Sequence, residues 1–222
     1  MIPKLLSLPI LVLIGSLAGA AHLHAETPSA NDQARFLAGI PQEQGSPLTE
    51  LARRPEYERH AKEFDTSWAD IEKRQLGPIR DWMRQTLPAV VQDTSPLLYV
   101  FSGPDFLHAS TFYPNASTYV LCGIEPVGLP PDVTQLGSDS LDASLRNLRE
   151  SLNAVLSFSF FITSSMKNDL SASATRLSGT LPVLYVFLAR CGCYIESVEN
   201  VGLNREGQIE PAEGSKLSLI HI

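Results

Sequence analysis

The chain has 222 residues, 44% of them hydrophobic and 18% charged, enough apolar material for one sizeable core in a single domain or a domain with a helical attachment. Seventeen Lys+Arg against 24 Asp+Glu give a net charge of −7, which excludes the clustered positive surface that a nucleic-acid backbone requires. The densest basic stretch, Arg53, Arg54, Arg59 and Lys62, is interleaved with Glu50, Glu56, Glu58 and Glu63. It reads as a solvated helix face with i,i+4 ion pairs.

Residues 1–25 have the order of a secretory signal peptide: Lys4, an apolar run over 5–17, then the small residues Ala18, Gly19, Ala20 and Ala21. The run is short for a bilayer span and contains Pro9 and Gly15, so cleavage is expected, after Ala20, Ala21 or Ala25. The protein is therefore expected in the periplasm or outside the cell, soluble and with no stable membrane span. Residues 26–47, rich in Pro, Gln, Ser and Gly, read as a flexible, loosely packed N-terminal arm. An α/β domain is expected over 48–216, with a helical layer first. Tyr57, Ala61, Phe64, Trp68, Ile71 and Leu76 recur at helical spacing, and Ile79, Trp82, Met83 and Leu87 resume the stripe after Gly77-Pro78. The pattern predicts two helices over 48–87, kinked or broken at Pro78, with both tryptophans in the core.

Leu97-Leu98-Tyr99-Val100-Phe101 and Thr118-Tyr119-Val120-Leu121-Cys122 are short apolar runs suited to strands buried on both faces. About a dozen residues separate them, including a short helix, which predicts a compact βαβ unit with parallel strands in a small sheet. Leu141, Leu145, Leu148, Leu152 and Val155 mark an amphipathic helix over 139–161, and a further helix is expected over 163–177. Thr180 and Pro182 can open an apolar segment over 181–191 that reads as a buried helix or a strand. Residues 194–203 are β-rich, and Asn204-Arg205-Glu206-Gly207 is a hairpin turn.

In open α/β sheets, ligands bind beyond the carboxyl ends of the strands. The first such end carries Ser102, Gly103 and Asp105 at a helix start, where free N–H groups favour an anion; the second carries Gly123 and Glu125. Asp105 and Glu125 could divide acid and base roles on one rim, with His108 or Tyr113 assisting. Ser102-x-x-Asp105 with Pro104 also reads as a simple helix cap, and Glu125 as an exposed loop acid. Gly-x-Ser-x-Gly, Gly-x-Gly-x-x-Gly and P-loop patterns do not occur, and no cofactor is implied. Nor is a metal expected: His60, His108 and His221 have no ligand spacing with Cys122, Cys191 and Cys193. The cysteines read either as small buried hydrophobes or as one disulfide from Cys122 to Cys191 or Cys193, since the Cys-x-Cys pair is too close for an easy mutual bridge, with one thiol over. Two function classes follow: a periplasmic or secreted module holding a small molecule or protein partner at the rim, or a hydrolase using the carboxylate pair. The module is the preferred reading, because no residue constellation demands catalysis.

The segments YVFSGPDFL (99–107) and YVLCGIEPVG (119–128), with SFFITSSM (159–166) and residues 179–203, resemble a family of uncharacterised exported bacterial proteins. The resemblance covers roughly 96–207 and implies export without implying an activity. It also implies that the domain is incomplete at its C-terminus. In keeping with that, residues 217–222, Leu-Ser-Leu-Ile-His-Ile, look like the translation of a sequencing adaptor and are expected to be read-through.

Overall fold

A computed structural model describes residues 27–100, 105–122, 128–136, 138–157, 177, 179–211 and 217–222. The expected leader and most of the helix expected over 163–177 lie outside the described residues. The protein is mixed α/β, as its patterning predicts, but its strands form two separate sheets.

The segment expected to be a loose arm instead supplies a buried helix to the core. Ser29 caps helix α1 (Ala30–Leu37) by accepting from the Asp32 N–H at 2.9 Å, and Ala34, Phe36, Leu37 and Ala38 are fully buried. Its polar residues are buried too, and each is bonded to a remote segment. Asn31 donates to Glu43 at 2.8 Å and accepts from the Ile195 N–H at 3.1 Å; Gln33 Oε1 accepts from the Val133 N–H at 3.0 Å. Asp32 accepts from the Glu43 N–H and the Ser46 hydroxyl. Polar composition suggests solvent, but these side chains satisfy buried backbone groups that would otherwise be costly to desolvate.

After the short helix α2 (Thr49–Ala52) comes α3 (Pro55–Ile71), which buries Tyr57, His60, Phe64 and Ile71. The expected interruption at Pro78 takes a specific form. Residues Glu72–Leu76 make a π-helical turn in which the Gly77 N–H reaches the Glu72 carbonyl, and α4 (Gly77–Thr86) starts directly from it with Pro78 in its first turn. Proline has no N–H to donate, and the wider turn accommodates it without ending the helix. Leu76 and Met83 are buried, but Trp82 is 50% exposed, so the two tryptophans do not share a core stripe. The π turn adds a residue to the helical repeat and rotates the following face, which shifts Trp82 outward. The basic stretch also pairs differently from expectation. Arg53 meets Glu50 at i,i+3 (2.5 Å), whereas Arg59 and Glu63 reach the distant Asp142 (3.2 Å) and Arg149 (3.0 Å).

Helix α5 (Pro88–Gln92) leads to β1 (Leu97–Tyr99), α6 (Phe106–Phe112) and β2 (Tyr119–Leu121). The strands are parallel with Leu97, Leu98 and Tyr99 opposite Tyr119, Val120 and Leu121, which is the expected βαβ unit. Burial on both faces is not observed. Tyr119 and Leu121 pack on the core, while the register partners Leu98 and Val120 point out and are 65% and 47% exposed. Helix α7 (Ser138–Ser157) lays Leu141, Leu145, Leu148 and Leu152 on the core and packs against α3. Each fully buried leucine contributes about 1.5–3 kcal/mol.

Residues 181–190 form a helix, α8 (Leu181–Arg190), buried nearly all round and packed on α1. It ends in a Schellman turn. The Cys193 N–H reaches the Leu188 carbonyl (3.0 Å) and the Gly192 N–H the Ala189 carbonyl (3.1 Å), with Gly192 at φ +82°. The second sheet has strand order β4-β3-β5, all antiparallel: β3 (Ser197–Leu203), β4 (Ile209–Pro211) and β5 (Leu217–His221). The expected turn joins β3 to β4, closed by the Asn204 N–H on the Gln208 carbonyl (3.0 Å). The terminal segment Leu217–His221 pairs with β3 from Val201 back to Ser197.

Candidate functional site

The C-terminal end of β1 delivers Tyr99, and the next helix begins with Asp105 as its N-cap. The carboxylate is 3% exposed and receives three donors. Tyr99 OH donates to Oδ2 at 2.8 Å, while the His108 backbone N–H (3.3 Å) and ring Nδ1 (2.8 Å) both meet Oδ1. The cap fixes the spacing: a side chain that accepts from the N–H three residues on also places the side chain of that residue beside it. An ionised carboxylate only accepts, so Nδ1 is the ring's donor. The His108 side chain is largely buried, which holds the ring in one orientation.

Burial and the adjacent Asp105 carboxylate push the Tyr99 phenol well above its ordinary value, so it remains a donor. Tyr113 lies just past the C-terminal end of α6 and adds a small further rise at Tyr99. Its own carbonyl accepts from Tyr119 OH, which ties the end of α6 to β2.

Of the residues expected at the rim, Asp105 and His108 are brought into contact. Ser102, Gly103, Gly123 and Glu125 lie outside the described residues. With its oxygens engaged by three donors, Asp105 is suited to orient His108 and cap α6 rather than to exchange protons itself. Tyr99 was not singled out in the sequence. Its one signal was position: an inward-facing tyrosine needs a partner for its hydroxyl, and Asp105 is the next acid along the chain.

A second polar cluster also escaped the sequence. His60, fully buried on α3, donates from Nε2 to the Leu37 carbonyl (2.9 Å) and accepts at Nδ1 from Arg149 (2.9 Å). Burial, then the Arg149 and Arg190 charges, hold it neutral with a pKa lowered to about 4, against the bond to Leu37. It follows Tyr57 and precedes Phe64 on the apolar stripe, so helical spacing alone placed it inside. Beside it, Phe64, Trp68, Ile71, Arg149 and Leu152 line a cavity of about 20 Å³ between α3 and α7, room for about one water.

Among the described residues no three His, Cys, Asp or Glu side chains cluster to hold a metal, and no helix is long and apolar enough to cross a membrane. All three cysteines are unbridged. The described residues thus define a mixed α/β protein whose parallel βαβ unit carries a Tyr–Asp–His cluster at its strand ends. Comparison with protein-family models, curated proteins and solved structures finds no match to the chain.

Proposed function

We propose that this is an exported binding module that holds a small apolar ligand or partner segment on the outer face of the β1–β2 pair, beside the Tyr99–Asp105–His108 rim. Export rests on the leader-like residues 1–25. The observation that carries the binding reading is the open face made by Leu98 and Val120, extended by the exposed Val100. Parallel strands are ordinarily covered on both sides, and here apolar side chains stand uncovered on one of them. The rim beside it is rigid, because Asp105 locks the start of α6 to β1.

The test is a thermal-shift screen of the full chain with small apolar ligands and short apolar peptides, repeated on the Leu98→Lys/Val120→Lys double variant. Exposed sites of this kind change stability by within about 0.5 kcal/mol each, so the variant should fold. Ligands that stabilise the wild type and not the variant support the reading; ligands that stabilise both equally place binding elsewhere.

The 2.8 Å contact between Asp105 and His108 favours a second reading, a hydrolase in which Asp105 orients His108 as a base and Glu125 supplies the second carboxylate. Turnover of ester or glycoside substrates lost in both His108→Ala and Glu125→Gln would establish it.

A further inference from the structure

Cys191, Gly192 and Cys193 form the Schellman turn that ends α8, and both thiols are free. Cys191 is exposed, with Sγ 3.6 Å from Ser110 Oγ on α6; Cys193 is half-buried and packs against the core. The two cysteines flank Gly192 in one turn, where the Cys193 N–H closes on Leu188 and the Gly192 N–H on Ala189. The turn therefore presents an accessible thiol with a sheltered one two residues away, around a glycine whose surroundings are empty within 4 Å. A structural turn needs the glycine but neither thiol. An accessible thiol beside a resolving one is the arrangement of a thiol–disulfide exchange pair.

We propose that Cys191 and Cys193 form a reversible redox pair that exchanges with external disulfides, Cys191 attacking and Cys193 resolving. In the first step the Cys191 thiolate attacks one sulfur of a disulfide RS–SR, forming a mixed disulfide and expelling one RS⁻. The Cys193 thiolate then attacks Cys191 Sγ, closing the intramolecular bond and expelling the second RS⁻. The protein loses two electrons and two protons; the external disulfide gains both electrons, and its two thiolates take up the protons. A ring closed across a single residue is strained, and strained disulfides are readily reduced, so the bridge is a labile one. The roles follow from the surroundings. Loss of water raises both thiols, Cys193 to about 11, but at Cys191 the Ser110 hydroxyl and the Arg80 guanidinium offset part of that rise. Exchange is accordingly slow at neutral pH and accelerates in alkali. Closing the ring also draws Cys193 from the core and loosens its N–H bond to Leu188.

The test incubates the reduced full chain with glutathione disulfide at mildly alkaline pH and follows intact mass and peptide maps. The expected product has lost two hydrogens, with the bridge mapped to residues 191 and 193, and returns to the dithiol on adding reduced glutathione. In Cys193→Ser a glutathione adduct should persist on residue 191, whereas Cys191→Ser should form neither bridge nor rapid adduct. Glutathione adducts that stay on both cysteines of the wild type, or a bridge to Cys122, would overturn the proposal, as would thiols that remain free while Cys122 reacts.

Discussion

His60 Nδ1 accepts a 2.9 Å hydrogen bond from the Arg149 guanidinium, joining α3 to α7 inside the core, while Nε2–H closes on the Leu37 carbonyl at the end of α1. Both ring nitrogens are committed, one as acceptor and one as donor. Only the neutral imidazole can do this, because the protonated ring has two donors and would turn one of them against a cation.

That commitment sets a pH dependence. The native ring titrates near pH 4 against 6.5 for the free side chain, so between those values the unfolded chain binds a proton that the native chain does not. The stability contributed by a neutral His60 is present above about pH 6.5, is lost as pH falls, and levels off below about 4. The loss from this group is about 3 kcal/mol. Urea unfolding at a series of pH values should show it. His60→Gln keeps a donor and an acceptor but cannot titrate, and should remove this part of the slope; an unchanged slope would mean another group is responsible.

Asp105→Ala removes the cap of α6 and leaves the Tyr99 hydroxyl without its acceptor. Destabilisation of about 2–3 kcal/mol is expected in denaturant unfolding, with Tyr99→Phe costing about 1 kcal/mol. Asp105→Asn, which retains an acceptor, should lie well below the alanine variant. Equal losses in the two would show that the carboxylate's charge and second acceptor oxygen, rather than its shape, carry the contribution.

Gly39→Ala should destabilise by about 3 kcal/mol. The residue has φ +66°, and an added Cβ would stand 2.8 Å from the Ala61 backbone Cα on α3, where nothing flexible can yield. Gly45 is the matched control. At φ +81° it has nothing within 4 Å, so Gly45→Ala should show only the conformational cost of about 1 kcal/mol. Comparable thermal midpoints for the two would contradict the close approach of α3 to the end of α1.

Arg190 holds the Ala38 carbonyl with Nε (2.8 Å) and Nη2, reaches Asp65 with Nη1 (2.7 Å), and lies over the Phe64 ring at 4.9 Å. Lysine cannot reproduce that fork or the stacking, so Arg190→Lys should cost about 1–2 kcal/mol. Asp65→Asn should be near neutral, because Asp65 is mostly exposed and surface ion pairs contribute little. A larger loss in Asp65→Asn than in Arg190→Lys would make the ion pair the dominant contact.

Where local rules suffice, the elements were legible. The four-and-three spacing of Leu141, Leu145, Leu148 and Leu152 marked α7, and Gly77-Pro78 marked the interruption that became a π turn. At the candidate site, Asp105 and His108 could be placed together because residues three apart share a helical side, but the cap read as Ser102-x-x-Asp105 is instead made by Asp105 itself. Tyr99 could not be placed with them, because its contact with Asp105 depends on how α6 packs against β1. The open face of Leu98 and Val120 was misread, since an apolar strand looks the same whether its outer side is covered by the protein or left bare.

By itself the amino-acid order determined the helical spacings, the β3–β4 turn and the parallel strand–helix–strand unit, all consequences of spacings within a few turns or one short crossover. Tertiary structure alone decided the rest. Asn31 and Gln33 look like loop residues until Ile195 and Val133 arrive, 164 and 100 residues further on, to be bonded by them. His60 looks like one histidine on an apolar stripe until Arg149 meets it from another helix. A buried polar group is stable only with its partner, and a partner that distant is chosen by the packing of helices rather than by any local pattern.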